Sequence, residues 1–72
     1  MTDTVYINTD YIKLDSLLKL AGVCMSGGEA KILISNGDVS LNSEICYIRG
    51  KKIYDGDRVR VNQKDILVKK QA

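Results

Sequence analysis

Along this chain the spacing of apolar residues changes period at Val39, and that change limits what the chain can fold into. Before Val39 the spacing is helical: Leu14, Leu17, Leu18 and Ala21 form one run, and Ala30, Leu33 and Ile34 form another. Side chains three and four residues apart share one face of a helix. After Val39 the period shortens to two. Val39 and Leu41 flank Ser40, and Val59 and Val61 alternate with Arg58 and Arg60. Alternation of this kind puts one face of a strand in a core and the other in water. Two short helices followed by several short strands predict an α+β fold, with a two-helix hairpin packed on a small, mainly antiparallel sheet.

The punctuation supports this reading. Proline is absent, so glycine and Asx residues mark the breaks. Asp15 is expected to cap the first helix and Gly22 to end it in a left-handed conformation. Ser26-Gly27-Gly28-Glu29 has the form of a capping box, in which the serine hydroxyl serves the Glu29 amide and the Glu29 carboxylate reaches back to the amide of Ser26. Asn36-Gly37 closes the second helix. Turns are expected at Asn42-Ser43, at Tyr54 to Asp57 and at Asn62 to Asp65. Thr4 to Ile7 reads as an edge strand. Ile45, Tyr47 and Ile53 should continue the sheet around a basic loop, and Ile66 to Lys69 forms the last strand. The expected order is β-α-α-β-β-β-β.

At 72 residues the chain is expected to be one domain, residues 1–72, with a modest core and no deep pocket. That core must be aliphatic, because there is no tryptophan or phenylalanine and only four tyrosines. No apolar run approaches the roughly 20 residues of a membrane span. Met1 to Ile7 does not read as a signal peptide, so a cytoplasmic protein without membrane contact is expected. Cys24 and Cys46 are too few for a zinc site and are read as reduced, small hydrophobes. No metal or other cofactor is expected.

The formal net charge is +2, but it is unevenly spread. Residues 1–38 carry three lysines and five acids, whereas residues 39–72 carry eight lysines or arginines and four acids. Such asymmetry fits either a one-sided electrostatic footprint or a well-solvated surface.

Lys13-Leu14-Asp15, followed by Leu18, Gly22, Ser26, Ala30, Gly37, Val39, Asn42 and Gly56-Asp57, is an ordered set whose spacings resemble the S-four domain, or αL motif. The resemblance covers roughly residues 12 to 61. It implies a helical hairpin on a small sheet that binds structured RNA, usually ribosomal or transfer RNA. In many members the module accompanies a catalytic domain. This chain looks most like the stand-alone bacterial subgroup (YbcJ/YaaA-like proteins), which the Ser26-Gly27-Gly28 and Arg49-Gly50-Lys51-Lys52 stretches also fit. It departs from the wider pattern twice. Gly27 stands where arginine is common, which removes a usual phosphate contact, and Ser43 stands where the hairpin turn often has glycine.

A binder of folded RNA needs cations at phosphate spacing on a complementary surface. The candidates are Lys13, just before the first helix; Ser26, Gly27 and Lys31 on the second; and Arg49, Lys51 and Lys52, expected on a flexible loop around Gly50. Gly27 and Gly28 either open a helix N-terminus to a phosphate or to close approach of the RNA backbone, or merely permit a tight helix–helix turn. Arg58 and Arg60 read as the solvated face of a strand. Tyr47 and Tyr54 flank the basic loop, either as base-stacking rings or as half-buried sheet residues.

An enzyme is not expected, since there is no histidine to act as a base near neutral pH and no Ser or Cys has a base near it in sequence. A sulfur carrier would end in Gly-Gly, whereas this chain ends Lys70-Gln71-Ala72. The expected function is a non-catalytic, monomeric RNA-binding protein. The competing reading is an adaptor that docks on a ribosomal or nucleic-acid-processing protein.

Overall fold

The computed structural model describes residues 2–71. In chain order the elements are β1 (Thr2–Ile7), β2 (Tyr11–Lys13), α1 (Leu14–Leu20), α2 (Gly27–Ser35), β3 (Val39–Leu41), β4 (Glu44–Ile45), β5 (Lys52–Tyr54), β6 (Arg58–Val61) and β7 (Lys64–Lys70). Five strands form a sheet in the order β1-β7-β6-β3-β4, while β2 and β5 pair separately as a two-stranded ribbon. Every pairing is antiparallel except β1 with β7, which runs parallel from Thr2 opposite Asp65 to Ile7 opposite Lys70. The fold is α+β, as the change of period predicts.

The helical stripe and the alternating strands meet in one apolar cluster. Leu14, Leu17 and Leu18 from α1 and Ala30 and Ile34 from α2 lie against Val39, Val59, Val61, Ile66 and Val68 of the large sheet. Fully burying each of the larger side chains contributes about 1.5–3 kcal/mol. Ile53 of the ribbon is also completely buried and fastens the ribbon to this core. Lys64 closes the fold elsewhere: its ammonium donates to the Ala21 carbonyl at the end of α1 (3.0 Å) and pairs with Asp3 of β1 (2.9 Å).

Several expectations of local structure are corrected by contacts from elsewhere in the chain. Asp15 does not cap α1. Lys13 holds the cap position without a side-chain bond, and the Asp15 carboxylate accepts from the amide of Ser16 next to it (2.8 Å). Ser26 does cap α2, accepting from the Glu29 amide (3.3 Å), but the Glu29 carboxylate reaches the amide of Met25 rather than that of Ser26. Ile45 continues the sheet as expected, whereas Tyr47 lies outside any strand and Ile53 belongs to the ribbon. The Asn42-Ser43 turn is present with positive φ at both residues (50° and 75°), the backbone that a two-residue hairpin needs.

Candidate nucleic-acid interface

Two chain segments far apart in sequence build the basic surface. The loop between β4 and β5 turns at Arg49-Gly50, where the Lys51 amide donates to the Ile48 carbonyl (3.2 Å). It then caps α1: the amides of Leu14 and Asp15 donate to the carbonyls of Lys51 (2.9 Å) and Arg49 (3.1 Å). First-turn amides of a helix have no partner within the helix, and here the loop backbone supplies two. The loop expected to be flexible is thus fastened to α1 at two points and closed by one bond of its own. Its carbonyls face the helix, and its side chains remain exposed.

The ribbon adds Lys13 and Lys52. These residues are directly opposite each other in the β2–β5 register, as are Tyr11 and Tyr54, with Ile12 and Ile53 between them. Tyr11, Lys13, Lys52 and Tyr54 are exposed, while Ile12 is half-buried and Ile53 buried. Alternation therefore puts two lysines and two tyrosines on one outer face. The tyrosine rings lie 6.1 Å apart, tilted by 53°, and the Lys52 ammonium sits 4.8 Å from the centre of the Tyr11 ring. At exposed sites a cation over a ring contributes about 0.5–1 kcal/mol. Like charges facing across strands are destabilising, so the Lys13–Lys52 pair works against folding.

Lys13, Arg49, Lys51 and Lys52 are thus brought together, and none of the ion pairs among the described residues involves them. Gly27 and Lys31 lie on α2, with Ser26 as its N-cap, and α2 packs on α1, whose first turn the basic loop caps. Lys31 is exposed. The Ser26 oxygen is engaged in its cap. A Cβ at Gly27 would meet nothing within 4 Å, so packing does not demand glycine there. Sequence reasoning missed Tyr11 and the short strand that carries it. The available signal was the alternation Tyr11-Ile12-Lys13, which is too brief to stand out.

The remaining chemistry is sparse. Cys24 and Cys46 are free thiols. Cys24 is buried, and that burial, reinforced by the nearby Glu29 carboxylate, raises its pKa, which opposes thiolate formation. Among the described residues no group of three or more His, Cys, Asp or Glu is placed to hold a metal ion. No described helix is long and apolar enough to cross a membrane.

Residues 5–69 match the S4 domain family. A curated relative, the "Probable ribosome maturation protein RlbA" of Bacillus subtilis (strain 168), is 43% identical over 61 residues, covering 85% of this chain and 86% of the relative. The chain belongs to the S4 domain family. Among solved structures, the 30S ribosomal protein S4e from Thermoplasma acidophilum superimposes with a TM-score of 0.61 at 16% identity. That match covers 81% of this chain and 31% of the ribosomal protein, so it bears on the fold alone.

Proposed function

We propose that the 72-residue chain acts as a non-catalytic RNA-binding domain. Its ligand is structured ribosomal or transfer RNA, engaged in the cytoplasm during ribosome maturation. The observation that carries this reading is the unpaired cationic cluster of Lys13, Arg49, Lys51 and Lys52, held in place by backbone bonds that leave the side chains free. Lys31 and the open N-terminal turn of α2 around Ser26 and Gly27 extend the surface. The family membership and the name of the Bacillus subtilis relative support the same reading.

A second reading has an observation of its own. Ile45, Tyr47 and Ile48 are large, exposed apolar residues beside the loop, and with Leu41, Cys46 and Lys51 they line an open groove. This surface suits an adaptor contacting a ribosomal or nucleic-acid-processing protein. Binding of a folded ribosomal RNA fragment, followed as salt is raised, separates the two. Displacing cations from several phosphates gives a log K that falls linearly with log salt, by about 0.7–0.9 per phosphate contacted. A slope near zero, or no binding at moderate salt, would leave the protein-docking reading in its place.

A further inference from the structure

The outer face of the β2–β5 ribbon combines features that neither the core nor a plain phosphate-binding surface requires. Four exposed side chains form a two-by-two grid: Tyr11 opposite Tyr54 and Lys13 opposite Lys52. The inner residues, Ile12 and Ile53, provide the packing. The like-charged lysine pair works against the ribbon, and an anion between the two ammonium groups relieves that repulsion. Nearby acids are occupied elsewhere. Asp10 pairs with the Lys70 ammonium at 2.7 Å, Asp55 accepts from the Lys70 amide at 2.7 Å, and Asp57 accepts from the Tyr54 amide at 2.8 Å and from Asn42 at 3.1 Å. No carboxylate among the described residues forms an ion pair with Lys13 or Lys52.

We propose that this face is a stacking platform for an unpaired nucleobase. The base lies on Tyr54, the more exposed ring (48% against 37% for Tyr11), with Tyr11 beside it, while Lys13 and Lys52 hold the flanking phosphates. Every base offers a π-face, so stacking on an aromatic ring tolerates any sequence and selects for a nucleotide outside the duplex. This inference rests on the RNA-binding reading and narrows it: the ligand is folded RNA carrying a bulged or looped-out nucleotide next to a helix.

The test uses two short RNA hairpins identical except for a single bulged nucleotide, a fluorescent adenine analogue whose emission falls when it stacks. The wild-type chain should prefer the bulged hairpin by roughly tenfold, within the range expected for one stacked base, and should quench the analogue. Tyr54→Leu, which keeps an apolar side chain on the ribbon, should abolish the preference and the quench while retaining affinity for the fully paired hairpin. Tyr6→Leu, on edge strand β1 and outside the ribbon, should change neither. Lys13→Ala with Lys52→Ala should weaken binding to both hairpins. If wild type binds the two hairpins equally and without quenching, or if Tyr54→Leu combined with Tyr11→Leu keeps the preference, the stacking platform is wrong and RNA binding still stands. If wild type binds neither hairpin at low salt, the RNA reading falls and the platform falls with it.

Discussion

In the five-stranded sheet Arg60, Lys64 and Lys70 each meet a carboxylate, at 3.9, 2.9 and 2.7 Å. In the ribbon and its loop Lys13, Arg49, Lys51 and Lys52 meet none among the described residues, and two of them face each other across paired strands. The residue types are the same, but the work differs. On the large sheet Lys64 joins β7 to β1 and to the end of α1, and Lys70 reaches Asp10 ahead of the ribbon, so these charges help close the fold. On the ribbon and loop the backbone does the closing, through carbonyls that cap α1, and the side chains are left available. Charge counted along the sequence cannot separate these two uses. Ion pairing sets Arg60, Lys64 and Lys70 apart from the ribbon and loop cations, although Arg58 and Lys69 of the same sheet also form no ion pair among the described residues.

The sharpest way to break the comparison is to detach the ribbon. Ile53→Ala empties a fully buried site and should cost about 2–5 kcal/mol in urea or thermal unfolding. A much smaller loss would mean that the ribbon is not anchored in the main core. Next in size is a gain. Gly27→Arg enters open space and should steepen the salt dependence of RNA binding by about 1 while tightening it several-fold at low salt. No change would separate α2 from the RNA surface. Lys64→Met removes a cation of the closing kind. It should lower stability by about 1 kcal/mol and leave RNA affinity nearly unchanged.

The smallest effect is a pH dependence. The hydrogen bond from Lys70 and its charge hold the Asp10 carboxyl below the usual aspartate value. Asp10 in the unfolded chain therefore binds its proton at higher pH than in the folded one. Any stabilisation from this pair is intact above the unfolded pKa and fades as pH falls through the lowered one. An NMR titration of Asp10 should show the depressed midpoint, and Lys70→Met should return it toward the ordinary value.

How much of this was legible in the sequence depends on how local each interaction is. Leu14, Leu17 and Leu18 announce α1 through spacing alone, Ser26 announces the start of α2, and Arg58 to Val61 alternates cleanly. Contacts across long separations leave no such trace. The ribbon strands are three residues each and their partners lie some forty positions apart, so neither develops a period. Asp15 was expected to cap α1 because it was the nearest suitable side chain, yet distant carbonyls took that role. The density of cations at Arg49, Lys51 and Lys52 was plain in the sequence. Their meeting with Lys13, and the facing of Tyr11 and Tyr54, follow from a β2–β5 register that only the fold reveals.

The cations clustered on the ribbon and its loop, and not basic charge in general, are proposed to make the RNA surface. Two triple variants with equal loss of charge test it, each checked for folding by circular dichroism: Arg49→Ala with Lys51→Ala and Lys52→Ala, and Arg60→Ala with Lys64→Ala and Lys70→Ala. Their affinities for one folded ribosomal RNA fragment are measured across a salt series. The loop triple should lose on the order of 100-fold in affinity at moderate salt, about 3 kcal/mol shared among the three cations. Its salt slope should flatten by about 1 for each cation removed, and the sheet triple should stay close to the parent. Equal losses in the two triples, or a loop triple that binds as tightly as the parent, would contradict the account.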